Sequence, residues 1–221
     1  MNFRQLDIKS GHEPPLKVKI FDPDTVPDRH FYDSEYYMDG QKAGKSGYVD
    51  YKYANYHLHQ ADTIMRTLKP KSVLDVGCAT GPLVMAFKLF QIRSAGVDLS
   101  EWATSHPCFP GIELKCASSA EIPYGDKEFE LVTCLDMLEH LPSLEIVEKT
   151  VSELCRCSGQ YVWIATPFDN DSGKWNMDKS HIFFAEKRFW LWEFEKHGFT
   201  EYPGKMRVFN DYGDEILFTR G

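Results

Sequence analysis

The chain has 221 residues with 33 acidic and 25 basic side chains, a formal charge of −8. It lacks the basic stripe whose counterion release drives nucleic-acid binding, which counts against a DNA or RNA partner. No apolar run approaches the roughly 18 residues of a membrane span, and the first residues, MNFRQLDIKSGHEPP, hold no apolar signal core.

Six cysteines, at 78, 108, 116, 134, 155 and 157, form no paired framework, and Cys155-x-Cys157 lacks zinc-site spacing. A reduced, cytoplasmic protein without membrane attachment is expected. The length suits one domain over 1–221, divided into an N-terminal arm and lid (1–56) and a core (57–221). Oligomeric state is not legible.

Residues 1–30 are polar and carry Pro14, Pro15, Pro23 and Pro27, which predicts an extended arm with a short strand at 16–21. Residues 31–56 are dense in tyrosine (32, 36, 37, 48, 51, 53, 56) around a glycine-rich bend from Gly40 to Gly47. Ala61, Ile64, Met65 and Leu68 mark a helix over 53–68, closed by Pro70. Strands are then expected at 72–76, 93–98, 112–116, 129–134 and 161–166, alternating with helices at 82–91, 101–105, 142–156 and 186–197. Such alternation implies a parallel sheet covered on both faces. Segments 199–202 and 215–219, joined through Asn210-Asp211-Tyr212-Gly213, suggest a closing antiparallel pair.

The most informative stretch is VLDVGCATG at 73–81. Apolar Val73 and Leu74 lead into Asp75, Gly77 and Gly81, and a helix follows from Pro82: a strand, a glycine turn and a helix N-terminus. Bare backbone there approaches a ligand closely, and the new helix presents unpaired N–H groups. Asp98 ends the next strand, 17 positions beyond Gly81, where nucleotide-binding sheets place the acid that takes ribose hydroxyls. The G-x-G-x-x-G spacing of a NAD site is absent. Asp75 under the turn would repel a pyrophosphate but suits a ligand bearing an ammonium group.

The pattern D-x-G-x-(G/A)-x-G resembles motif I of class I S-adenosylmethionine (SAM)-dependent methyltransferases, and the resemblance runs on over about 45–220. It implies a Rossmann-like, seven-stranded, mostly parallel α/β sheet with an antiparallel C-terminal strand, helices on both faces and an aromatic N-terminal helical lid. It also implies that Asp75, Gly77, Cys78, Ala79 and Gly81 hold the methionine end of SAM, while Asp98 takes the ribose. Ala117 and Ser118 would meet the adenine, with Leu99 and Ile122 sandwiching the ring. Ser118 stands where the family commonly has aspartate, which weakens that anchor. Trp102 either lines the ring or simply packs its helix.

The segment Leu135-Asp136-Met137-Leu138-Glu139-His140-Leu141 resembles the L-E-H signature of ubiquinone-biosynthesis and sugar-tailoring members, adding Leu135 and Asp136 to the cofactor set. His140 is either the base that takes a hydroxyl proton or a residue that shapes the turn. Cys157-Ser158-Gly159 takes the place of a P-G-G turn, and a loop over 167–185 is expected to cover the acceptor. In it His181 is a second candidate base or a structural histidine. Asp169, Asp171 and Asp178 are irregularly spaced, reading as solvated charges, so no metal is expected. Among the tyrosines, Tyr48, Tyr51 and Tyr53 are the candidates to face the sulfonium.

The implied reaction is methyl transfer from SAM to a small-molecule acceptor, a hydroxyl of a sugar or secondary metabolite, with S-adenosylhomocysteine (SAH) as product. The alternatives are a NAD-dependent oxidoreductase or epimerase on a related sheet, and a SAM-binding module without catalysis.

Overall fold

The computed structural model describes residues 3–9, 11, 15–21, 29–38, 54–169, 180–204 and 214–221. The bend from Gly40 to Gly47, the candidates Tyr48, Tyr51 and Tyr53, the loop acids Asp171 and Asp178, and the turn at 210–213 lie outside these residues.

Strands β3 (Ser72–Val76), β4 (Arg93–Asp98), β5 (Glu113–Cys116), β6 (Phe129–Leu135) and β7 (Ser158–Ala165) are parallel, and β10 (Glu215–Arg220) runs antiparallel between β7 and β9 (Phe199–Glu201). The sheet order is β5-β4-β3-β6-β7-β10-β9, seven strands with the reversal at one edge. Strand order turns around at β3, where consecutive strands depart to opposite sides. Crevices at such a point collect ligands. Register brings Asp75 level with Gly96 on one side and Thr133 on the other, so the site residues of three strands share one height.

Side chains alternate across the pleat and divide the core. On one face Val132, Val162, Ile164 and Phe218 meet α5 (Leu144–Cys157) and α6 (Lys187–Glu195). There Phe194 stacks on Phe218 with ring centroids 4.0 Å apart and planes 15° off parallel. On the other face Val73, Leu131, Trp163 and Leu217 meet Ala61 and Ile64 of α2 (Ala54–Thr67) and Phe87 of α3 (Pro82–Leu89). Each fully buried large side chain contributes roughly 1.5–3 kcal/mol. No helix among the described residues is long and apolar enough to cross a membrane.

A second sheet was not foreseen. β1 (Phe3–Ile8), β2 (Leu16–Phe21) and β8 (Phe183–Ala185) pair antiparallel in the order β1-β2-β8. Only β2 announces itself locally, with Leu16 and Val18 buried and Lys17 exposed between them. β8 is three apolar residues inside the expected loop at 167–185, and it becomes a strand because β2 supplies its hydrogen-bond partners. Leu16, Val18, Phe183 and Ala185 join the main core, so the arm is packed against it. Asp169 is not a solvated charge: Lys19 Nζ of β2 lies 2.9 Å from its carboxylate, and the two side chains are 14% and 6% exposed. Nor do residues 157–159 form a separate turn, since α5 ends at Cys157 and β7 begins at Ser158.

Gly96 in the middle of β4 has no positive φ; its requirement is space. A Cβ there would sit 2.6 Å from Cys78 Sγ and 2.8 Å from Leu114 Cδ2. Gly96→Ala is therefore expected to destabilise the fold by about 1–3 kcal/mol through overpacking, read as a lower urea midpoint at unchanged slope.

Candidate functional site

β3 ends at a turn that only particular residues permit. Gly77 and Gly81 both have φ of +82°, and Ala79 between them has φ of +50°. A Cβ on Gly77 would lie 2.6 Å from Met137 Cγ, so that position needs glycine on both counts. The turn is held from the neighbouring strand. The Ala79 N–H donates to Asp98 Oδ2 at 2.8 Å, and the Ser100 N–H donates to Asp98 Oδ1 at 2.8 Å. Ser100 in turn caps α4 (Glu101–Ser105), accepting from the Ala103 N–H, while its hydroxyl donates to the Tyr32 carbonyl at 2.5 Å.

The turn opens onto a cavity of about 430 Å³. Gly77, Ala79, Asp98, Leu99, Ala117 and Ser118 line one part of it, and Asp136 and His140 another. Eight of the residues singled out from the sequence thus meet around one space, drawn from the ends of β3, β4, β5 and β6.

The remaining candidates stand elsewhere. Asp75 lies beneath the turn, buried, with the Thr133 hydroxyl donating to its Oδ1 at 2.7 Å. Cys78 is turned away from the cavity and packs over Gly96, and burial pushes its thiol well above the ordinary range. Gly81 serves packing, since a Cβ there would meet Ile112 and Leu114. Ile122 is in the core and, unlike Leu99, does not line the cavity. The apolar lining beside Leu99 comes from Met137, Leu141, Pro142 and Ile146. Leu135 packs in the α2–α3 face of the core, and Tyr53 lies outside the described residues. His181 does not line the cavity.

Tyr32, Tyr36 and Tyr37 do line it. They belong to the segment around α1 (Ser34–Met38), and tertiary contacts hold it in place. Tyr37 stacks on Trp102 with centroids 5.6 Å apart, and Trp102 stacks on His106 at 4.7 Å. Trp102 therefore fastens the aromatic segment instead of forming the cavity wall. The tyrosine density was visible in sequence, but five helical residues are too few for periodicity to say which rings face inward.

Carboxyl groups dominate the electrostatics. Burial pushes Asp75 up to about 7; the Thr133 hydroxyl pulls it back, and the charge on Asp98 adds to the rise. Burial also raises Asp98, against the two N–H groups that favour its charged form. Asp136 is exposed where it lines the cavity, and the protein packed around the rest of it pushes its carboxyl up to about 6. Its φ of +49° is a left-handed conformation that a non-glycine residue adopts at a cost, fixed here by its N–H donating to the Ala165 carbonyl at 2.8 Å.

His140 sits in a short 3₁₀ turn, Leu138–His140, just past β6. Its Nδ1 lies 3.0 Å from the Ser180 carbonyl, and the Tyr32 ring stands edge-on to it with centroids 6.2 Å apart. The His181 ring is 4.8 Å from that of His140, and His181 Nε2 is 3.9 Å from a carboxylate oxygen of buried Glu139. Glu139, His140 and His181 bring their ligand-type atoms within 4.8 Å of one another, a compact grouping the sequence reading passed over.

The stretch carrying Ala117 and Ser118 has little regular structure and is clamped to α5. The Ile122 N–H donates to Glu153 at 2.7 Å, and Ser119 and Thr150 share a hydroxyl bond at 3.0 Å. The Arg156 guanidinium donates to the Ile122 and Tyr124 carbonyls and to Asp126 and Glu153, at 2.6–3.0 Å.

A family model described as a methyltransferase domain matches residues 48–202. Among curated proteins, ubiquinone biosynthesis O-methyltransferases from Pseudomonas putida (strain W619) and Chromobacterium violaceum are 33% and 35% identical over the matched stretch. That stretch is 42% and 43% of this chain, and it spans 44% of each relative. Among solved structures, magnesium protoporphyrin IX methyltransferase from Synechocystis PCC 6803 with bound SAM superposes with a TM-score of 0.61 at 16% identity, covering 89% of this chain and 98% of that one. An amino pentose methyltransferase from Micromonospora echinaspora with bound SAM gives 0.62 at 14% identity, covering 77% and 92%. At such identities the likeness is one of fold.

Arg156→Ala removes the guanidinium donor from the Ile122 and Tyr124 carbonyls, from Glu153 and from Asp126, leaving Glu153 only the Ile122 N–H and the Ile122 carbonyl only the Tyr124 N–H. It is expected to cost about 1–3 kcal/mol and to speed amide hydrogen exchange across 118–126 more than in β3 or β6.

Proposed function

The chain belongs to the methyltransferase-domain family, and from that premise we propose that it transfers a methyl group from SAM to a hydroxyl of a small molecule of sugar or secondary-metabolite type. The observation that carries this reading is the shared cavity: a glycine turn with no room for a side chain at Gly77, and Asp98 beside it, at the ends of adjacent parallel strands. The residues suit the cofactor. The backbone of the 77–81 turn meets the cationic amino-acid end, with the Asp75 carboxyl beneath the turn supplying negative charge, and Asp98, with a lone pair to spare on each oxygen, accepts from the ribose hydroxyls. Ala117 and Ser118 meet the adenine, and Tyr32, Tyr36 and Tyr37 turn aromatic surface toward a positive charge.

When bound, SAM supplies an electrophilic methyl group, so the protein's part is to align an acceptor oxygen with it and exclude water. Asp136 and His140 flank the place where that oxygen would stand. A histidine whose Nδ1 donates to a backbone carbonyl holds a lone pair on Nε2, and that nitrogen takes the hydroxyl proton. His140 is thereby the base, and the late loop at 167–185 is the segment assigned to cover the acceptor. Relatives named for O-methylation in ubiquinone biosynthesis, and fold neighbours named for magnesium protoporphyrin IX and an amino pentose, support a small-molecule acceptor. Isothermal titration with SAM and with SAH decides the reading, and folded protein that binds neither ends it.

Two further outcomes follow from the site chemistry. Near pH 7 Asp75 is partly protonated in the ligand-free protein, because its folded value of about 7 lies above the ordinary carboxylate value. The stabilisation from holding that proton is complete at low pH and is lost as pH rises through about 7. An arriving ammonium group favours the charged form, so SAM affinity should increase between about pH 6 and pH 8. Titrations in buffers of different ionisation heat should show net proton release near neutrality. Separately, once a labelled-methyl screen has found an acceptor, His140→Ala should bind SAM as the parent does and lose about 10²–10⁴-fold in turnover. Full turnover in that variant removes His140 as the base.

A further inference from the structure

We propose that His181 and Glu139 are positioning residues that set the tautomer of His140, an inference that rests on the reading of His140 as the base. Three contacts join the turn at 138–140 to the stretch at 180–182 that enters β8. The Ile182 N–H donates to the Glu139 carbonyl at 2.8 Å. His140 Nδ1 meets the Ser180 carbonyl at 3.0 Å. The Glu139 carboxylate lies 3.9 Å from His181 Nε2, within ion-pair range when that imidazole is protonated.

The chemistry of the middle contact is one-sided. A carbonyl only accepts, so Nδ1 must carry the hydrogen, and a neutral ring keeps its lone pair on Nε2. In water a neutral imidazole prefers the opposite arrangement, with the hydrogen on Nε2. Holding the less favoured form requires a carbonyl that stays in place and is shielded from water. Ser180 is 0% exposed, which supplies the shielding.

His181 supplies the placement. It follows directly on Ser180, its ring meets the His140 ring edge to face at 4.8 Å, and its far nitrogen faces Glu139. Glu139 is 1% exposed, and its carboxylate, withdrawn from water, has the His181 imidazole 3.9 Å away as a polar neighbour. The pair thus locks the Ser180 carbonyl against His140 from both sides of the peptide. Glu139 and His140 are adjacent on one turn, so the element that carries the base also carries the anchor for the loop that orients it.

Long-range ¹⁵N–¹H correlation spectra of the full chain, saturated with SAH at pH 8 with no acceptor, read the tautomer directly. His140→Ala identifies the resonances. The parent protein should show His140 with hydrogen on Nδ1. His181→Ala should move it to the Nε2–H form at unchanged SAH affinity, and His181→Gln, whose amide still reaches Glu139, should restore the Nδ1–H form. Glu139→Ala carries the same expectation as His181→Ala, should that variant not fold. An Nε2–H ring in the parent overturns the proposal without any variant, as does an unmoved tautomer in His181→Ala. If treatment with EDTA alone shifts both rings, the cluster is ligating an ion and the proposal is likewise overturned. Because no acceptor is present, failure of methyl transfer and failure of this inference show up in different experiments.

Discussion

The carboxylate of Asp98 is the junction through which the site is assembled. One oxygen takes the Ala79 N–H and so sets the glycine turn after β3, and the other takes the Ser100 N–H and starts α4. Ser100 then passes the constraint on, because its hydroxyl holds the Tyr32 carbonyl and fixes where the aromatic segment enters. A single acid at the end of β4 therefore orients the turn on one side, the helix on the other, and the tyrosines above. Each oxygen keeps a lone pair, so the group that organises the protein can also accept from a ligand.

Around that junction the protein concentrates acids in poor solvent. Asp75 and Asp98 are buried and raised by it, Asp98 raises Asp75 further, and Asp136, exposed at the cavity, is raised by the protein packed around it. Near neutrality Asp75 holds, for part of the time, a proton that a water-exposed carboxylate would have lost. The arrangement favours a ligand that brings positive charge and disfavours a diphosphate. The chain's overall negative charge points the same way.

The acceptor side is governed by contacts between distant parts of the chain. Residues 180–182 lie against 138–140, and β8 beyond them pairs with β2 near the N-terminus. Lys19 of β2 pairs with Asp169 just past β7. The small sheet thus ties the N-terminal arm to both ends of the stretch expected to cover the acceptor, and through Ser180 to His140.

The alternation of strands and helices, the strand ends at Asp75 and Asp98, and the glycine turn were legible in the residues alone, because each depends on neighbours within a few positions. Pleat alternation, helical spacing and the freedom of glycine at Gly77 are local properties. Where Ile146 lines the cavity in place of Ile122, where Tyr32, Tyr36 and Tyr37 face inward, and where Cys78 turns away onto Gly96, the outcome hangs on which elements pack together. The same holds for β8, whose three residues become a strand only when β2 is beside them, and for Glu139 and His181, some forty positions apart, whose pairing no spacing rule anticipates. Local sequence determined the strands of the main sheet and the end of it at which the glycine turn and Asp98 lie. Tertiary packing decided which side chains reach the cavity, since burial and hydrogen-bond partners there come from segments far away along the chain.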